Sequence, residues 1–348
     1  MRKFIIALIF LCTLLFIVTR LTEVEQILDT FQKANWIVLL LAFAIQLLWL
    51  VNLACSFKSI YRLLGVEEDL LRMIRLVAAA AFVNIVTPSM GMGGMAFLIA
   101  DGQKRNHPTS RVTTGAAMYI LYEYWAVLVV LAVGLSVLIR RNQLTTGEFI
   151  TSCVLSIMAV GLAGILYLGM RSPSRLGTSL AWLAALANKL ARPIIRHDWL
   201  QVERAYNFAE DIGNGLKQAR RSRKGLLIPF GFALSSKIVM IGILMLVFIA
   251  FGEPYSPEVL IAGYSIGYLF TIVAITPSGI GFAEGALMLT LTSLRIPLAT
   301  ATIIALAYRG VTYWLPLVYG MIAFRWVSRE PALQTSTTVV AERSSSHQ

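Results

Sequence analysis

The chain has 348 residues, 57% of them hydrophobic and only 14% charged, a balance that would leave large apolar patches on any soluble domain. Its formal charge of +12 is carried at the ends of apolar runs and in one loop, which is how membrane topology distributes charge and not how a nucleic-acid surface does. The chain therefore reads as an all-α polytopic membrane protein.

In chain order, "MRKFIIALIFLCTLLFIVTR" opens with two basic residues and an apolar run. No small-x-small cleavage site follows, so Phe4–Thr19 is expected as a retained first span, in preference to a cleaved signal. Further spans are expected at Trp36–Phe57, Val112–Ile139, Phe149–Met170, Leu226–Phe251 and Leu298–Phe324, each suited to a hydrocarbon core of about 30 Å. Cys12, Cys55 and Cys153 fall in apolar segments without metal-ligand spacing and read as small buried residues.

Two apolar regions, Leu70–Ala100 and Val259–Leu294, are interrupted by "TPSMGMGG" (Thr87–Gly94) and "TPSGIGFAEG" (Thr276–Gly285). Proline and clustered glycine stop helices. In the first region the apolar part of the leading arm, Leu76–Val86, is about 16 Å long as a helix at ~1.5 Å per residue, and the trailing arm Gly91–Ala100 is about as short. Neither arm crosses, so the pair enters and leaves by one face as a re-entrant hairpin, with Pro88, Gly91 and Gly93 at the break. The second region, broken at Pro277, is expected to do the same with longer arms.

The distribution of basic residues tests the topology. Arg2 and Lys3 place the N-terminus in the cytoplasm, and Lys58, Arg62, Arg72, Arg75, Lys104, Arg105 and Arg111 place the first hairpin's open end there. Segment 171–224 holds eleven Lys/Arg against Asp198, Glu203, Glu210 and Asp211, which makes it internal. Glu253 and Glu258 stand without a basic residue in the loop after Phe251, which makes that loop external, and Arg325 and Arg329 return the C-terminus inside. The pair Arg140–Arg141 is the exception, since six spans leave it outside. Within 171–224, Asp198 caps a helix whose stripe Val202, Tyr206, Ala209, Ile212 covers the bundle or lies on anionic headgroups. Residues 328–348 are Ser/Thr-rich and are expected to be disordered.

The interruptions are related. Thr87-Pro88-Ser89 and Thr276-Pro277-Ser278 are 189 positions apart, and Tyr122-Glu123 and Tyr308-Arg309, each in the span after its break, are 186 apart. Residues 1–140 thus read as one repeat and 149–325 as a second of opposite orientation, within a single membrane domain over 1–327. Inverted repeats with broken helices are a transporter architecture, with the site near the midplane where the breaks meet. The expected fold is six transmembrane helices plus two re-entrant broken-helix hairpins in an inverted repeat.

Ionised groups deep in a span need a partner or a polar cavity. Glu123 and Arg309 lie at similar depth and either neutralise each other or act separately, Arg309 with Lys237 receiving an anionic group such as a lipid phosphate. Lys237 alternatively snorkels to the interface. Glu284, after the second break, is a counter-ion, a helix-start acid or a proton-coupling carboxylate. The arms beginning at Ser89 and Ser278 turn their N–H groups and positive dipole ends to mid-membrane, where Gly279 and Gly281 permit close approach of a phosphate. Gln46 and Asn52 read as hydrogen-bonding links between helices. No P-loop, metal cluster or Ser-His-Asp arrangement is evident, so neither an enzyme nor a metal or other cofactor is expected.

The stretch Thr276–Gly320, "TPSGIGFAEGALMLTLTSLRIPLATATIIALAYRGVTYWLPLVYG", resembles the C-terminal signature of the lysylphosphatidylglycerol synthase transmembrane (flippase-like, UPF0104-type) family. Pro277, Gly279, Gly281, Glu284, Tyr308 and Arg309 match its Pro-Gly-Gly-Leu-Gly-x-x-Glu element and its tyrosine-arginine. The first half departs from the pattern: Gly93-Gly94-Met95-Ala96 stands where a Gly-Glu and a later Arg are usual, and Tyr124 replaces the arginine after Glu123. The resemblance implies a bacterial inner-membrane protein, without the synthase domain that some members carry. The expected function is translocation of a phospholipid or polyprenyl-linked headgroup, with membrane lipids, a second copy or lipid- and glycan-synthesising enzymes as partners. A non-transporting subunit that anchors or regulates such enzymes, and a small-solute transporter, are the other readings.

Overall fold

A computed structural model of the chain describes residues 34–87, 92–140, 225–273 and 279–330, with isolated helical positions between 146 and 178. The expected span at Phe4–Thr19, most of that at Phe149–Met170, the basic loop 171–224 and the tail lie outside the described residues, as do Pro88, Ser89, Gly91, Pro277 and Ser278.

The described residues form helices without a strand: α1 (Trp36–Leu63), α2 (Leu70–Val86), α3 (Met92–Lys104), α4 (Thr109–Arg140), α5 (Leu227–Ala250), α6 (Pro257–Val273), α7 (Phe282–Ser293), α8 (Leu298–Arg309) and α9 (Leu315–Arg329). Polar residues mark the starts. Asn35 Oδ1 accepts from the Ile37 N–H at 3.1 Å, and Asp69 Oδ2 from the Leu71 N–H at 3.0 Å, each satisfying a backbone donor that the first helical turn leaves open. A π-helical turn, Gly310–Trp314, joins α8 to α9 immediately after Arg309.

Among the described residues, four helical stretches are long and apolar enough to cross a membrane: Trp36–Leu63, Thr109–Arg140, Leu227–Ala250 and Leu298–Arg329. They coincide with four of the six expected spans. Along α1, Leu40, Leu41, Leu47 and Leu48 are exposed while Leu39, Ala42, Leu50, Leu53 and Ala54 are buried, so one face packs and the other is left to hydrocarbon. Cys55 is half-buried and Cys153 exposed, both free, so the burial expected of the cysteines holds only in part.

The broken regions form two helical hairpins, α2–α3 and α6–α7. Their arms have 17, 13, 17 and 12 residues, or about 25, 20, 25 and 18 Å. The second pair, expected to be longer, is no longer than the first, because α7 ends early: Leu294 caps it, Arg295 takes the left-handed φ of 72° and Pro297 follows. A glycine lets each pair close. The Gly94 N–H donates to Asn84 Oδ1 at 2.6 Å, and a Cβ there would stand 2.6 Å from the Ala80 carbonyl oxygen. Gly279 combines a φ of 72° with a would-be Cβ 2.8 Å from Thr271 Cα, so only glycine fits.

The hairpins open at opposite ends of the bundle. The second opens where α5 finishes and α1 begins, since the Asn35 N–H donates to the Ala250 carbonyl at 2.7 Å; there Thr300 of α8 reaches Glu253 at 3.4 Å. The first opens at the other end, where Arg72 gathers charges from three elements. It donates to Asp101 of α3 at 2.7 and 3.0 Å, to Glu68 at 2.9 Å and to Glu330 beyond α9 at 3.2 Å. Arg105 and His107 join Glu68 at 3.6 and 2.8 Å. Burial opposes the Arg72 charge, but the three carboxylates outweigh it and raise its pKa above the usual guanidinium value.

Packing between the halves is reciprocal. The long helix α4 lies on α6, and α9 lies on α2, so each half's last helix covers the other half's leading hairpin arm. Gly134 of α4 meets Ser265, and Gly320 of α9 meets Ala78 and Phe82. The glycines are 186 positions apart, and Ala78 and Ser265 are 187 apart. Helices α1 and α5 pack on each other, and there the Trp49 indole N–H donates to Ser236 Oγ at 2.6 Å, a bond between residues 187 positions apart. Asn52 bonds Ser235 Oγ at 2.9 Å and the Phe232 carbonyl at 3.3 Å, as an interhelical link should. Gln46, expected to do likewise, is fully buried with no hydrogen-bond partner for its amide among the described residues.

Candidate functional site

Glu123 sits near the middle of α4, and its partner is Lys237 of α5. The Lys237 ammonium donates to Glu123 Oε2 and to the Tyr268 hydroxyl at 3.2 Å, and lies 4.3 Å from the centre of the Tyr268 ring. Tyr268 in turn donates to Glu123 Oε2 at 3.2 Å. With Lys237 only 2% exposed, three partners around one ammonium explain how it stays charged so far from water. Snorkelling is thereby replaced by an internal pair.

Arg309 is held separately, its Nε donating to Glu284 Oε1 at 2.8 Å and its guanidinium lying 4.8 Å from the Tyr313 ring centre. Glu284 does a second task. Its Oε2 accepts from the Gly281 N–H at 2.7 Å, closing the first turn of α7. It is both helix-start acid and counter-ion. The two ion pairs are thus Glu123–Lys237 and Arg309–Glu284: of the two arrangements the sequence left open, mutual neutralisation of Glu123 and Arg309 or separate roles, the charges stand in separate pairs.

Between the pairs lies a cavity of about 360 Å³. Both hairpins line it, the first through Ala80, Asn84, Gly94 and Leu98, the second through Gly263, Gly267, Thr271 and Leu287. Glu123, Tyr308 and Arg309 line it as well. Lys237, Glu284, Gly279 and Gly281 are not among the described lining residues: the first two stand behind the lining charges, and the glycines shape the second hairpin. Gly93 precedes the lining residue Gly94 in the first turn of α3.

Sequence reasoning singled out Tyr308 and missed the other tyrosines. Tyr119, Tyr124, Tyr264, Tyr268 and Tyr308 all line the cavity, and the Tyr264 hydroxyl, buried, has no hydrogen-bond partner among the described residues. The signal was present in "GYSIGY", Gly263–Tyr268, where Tyr264 and Tyr268 fall four apart on one helical face with glycine before each. The rings stack at 5.6 Å. The Arg72 cluster was also missed, because its members were counted singly as topology signals.

In a comparison of sequences, the family model of the lysylphosphatidylglycerol synthase transmembrane region matches residues 4–320. The chain belongs to this family. It is a multi-pass membrane protein. A UPF0104 membrane protein of Methanocaldococcus jannaschii is 25% identical over 321 residues, covering 88% of this chain and 89% of the relative. The family match covers both hairpins, three of the four long apolar helices described, the fourth as far as Gly320, and every residue of the two ion pairs.

Proposed function

We propose that this protein moves a lipid headgroup, of a phospholipid or a polyprenyl-linked lipid, between the leaflets of the cell's inner membrane, without catalysing a chemical reaction. In this reading the hairpins are re-entrant and enter from opposite faces, six helices span, both termini are cytoplasmic, and the halves form an inverted repeat. The reciprocal contacts Gly134–Ser265 and Gly320–Ala78, and the Trp49–Ser236 bond between corresponding positions, support that symmetry. Such symmetry lets one chain exchange an inward-open for an outward-open shape. Membrane lipids are the partners, and a second copy or lipid-synthesising enzymes are compatible with it.

The observation that carries the proposal is the cavity itself. It lies between hairpins that open at opposite ends and is lined by one carboxylate and one guanidinium, and an intramembrane ionisable group facing a cavity points to a substrate pathway. The test is translocation of fluorescent phospholipids in vesicles reconstituted with the purified protein. Transport is expected, and it should fall at least tenfold with Arg309→Ala or Glu284→Ala; transport unchanged by both would refute the site. The internal neutralisation of both ion pairs also suits a non-transporting subunit, which predicts no translocation by the wild type.

A further inference from the structure

We propose that the cavity selects a headgroup that is itself a dipole, one phosphate and one ammonium with no net charge, as in a phosphoethanolamine lipid. This deepens the lipid-translocation reading and rests on it only for the ligand's being a lipid. The lining offers both signs, Glu123 and Arg309. Each already has a counter-charge behind it, Lys237 and Glu284, so the four charges sum to zero before anything binds. A ligand of net charge would add an uncompensated charge to a low-dielectric interior, at a cost that a dipolar ligand avoids.

The parts fit the ends of such a headgroup. The phosphate meets the Arg309 guanidinium, whose fork of N–H donors matches phosphate oxygens. The ammonium meets Glu123, whose carboxylate lines the cavity while Lys237 and Tyr268 both bond its Oε2. Aromatic rings of Tyr119, Tyr124 and Tyr264 line the same cavity and favour a cation by their quadrupoles. The Tyr264 hydroxyl is the independent sign of a missing partner. It is buried, lines the cavity and is unpaired among the described residues, and a buried hydroxyl without a partner is costly. An aminoacylated phosphatidylglycerol with two ammonium groups carries one positive charge too many for the single lining carboxylate.

The test is binding to the purified full chain in detergent, read by native mass spectrometry. The probes are dihexanoyl phosphatidylethanolamine, dihexanoyl phosphatidylglycerol, its lysyl ester and free O-phosphoethanolamine. Phosphatidylethanolamine is expected to bind at least tenfold tighter than phosphatidylglycerol or its lysyl ester. The double variant Glu123→Gln/Lys237→Met, which removes both members of one pair and keeps the charge sum at zero, should erase that preference by lowering phosphatidylethanolamine affinity towards that of phosphatidylglycerol. Tyr264→Phe, which removes a hydroxyl unpaired among the described residues, should weaken phosphatidylethanolamine several-fold. Equal binding of the lipids, tighter binding of either phosphatidylglycerol, or a preference intact in both variants overturns the proposal. Equal affinity for free O-phosphoethanolamine keeps the dipolar site and removes only the lipid. The ethanolamine preference without translocation in vesicles would sink the transport reading and leave this one standing.

Discussion

Lys237 donates to Glu123 across the contact between α5 and α4, and of the two only Glu123 lines the cavity. The lysine is therefore the inner electrode of the site, setting the charge of a carboxylate that a ligand would meet. Removing one member of a buried pair strands the other, at about 3–5 kcal/mol, whereas replacing both is far milder. Lys237→Met is expected to destabilise the protein by that amount, and Lys237→Met/Glu123→Gln to recover most of it. Denaturant unfolding of the four proteins of the cycle in one detergent checks this; additive losses would mean the pair carries no coupling.

The reciprocal glycine contacts differ in what they touch. A Cβ on Gly320 would stand 2.7 Å from the Ala78 carbonyl oxygen and 2.8 Å from Phe82 Cβ, while one on Gly134 would overlap the Ser265 hydroxyl. Backbone cannot yield as a hydroxyl can. Gly320→Ala is expected to cost about 1–3 kcal/mol, with Gly134→Ala costing less. Gly285→Ala, with open space around the new methyl, should stabilise by about 0.5–1 kcal/mol through helix propensity. Unfolding midpoints of the three variants give the order directly.

Glu284 serves two bonds, and they separate by substitution. Glu284→Gln keeps an oxygen for the Gly281 N–H and loses the charge opposite Arg309; Glu284→Ala loses both. The glutamine variant is expected to retain the stability of the α7 start and the alanine variant to lose about 1 kcal/mol more. Hydrogen exchange of the amides in the first turn of α7 reports it: faster exchange in Glu284→Ala only.

Arg72 ties the first hairpin to the end of α9. Its pKa is raised in the folded protein, so the stability it confers is complete below the usual guanidinium value, far above neutrality, and is lost only as the pH rises beyond it. Arg72→Met is expected to destabilise by about 3–5 kcal/mol by stranding Asp101, by the same amount at pH 7 and pH 9. Unfolding at the two values checks the constancy, and a penalty shrinking towards pH 9 would show that a different group carries the effect.

Much of the architecture was legible because membrane insertion writes it in local terms. An apolar run long enough to cross and a proline-glycine interruption are each read within about twenty residues, so four expected spans recur as helices and both interruptions as hairpins. Glu123 and Arg309 were recognisable as cavity residues on the same ground, since a charge at such depth is costly wherever it stands.

Pairing was decided only by tertiary structure. Nothing within α4 says that Glu123 turns to Lys237, 114 positions away, or within α8 that Arg309 turns to Glu284; those choices depend on how helices cross, which is set by small residues such as Gly134 and Gly320 meeting the opposite half. The tyrosine wall and the Arg72 cluster have the same origin. Each is assembled from helices distant in the chain, and a sequence records its members without recording that they meet.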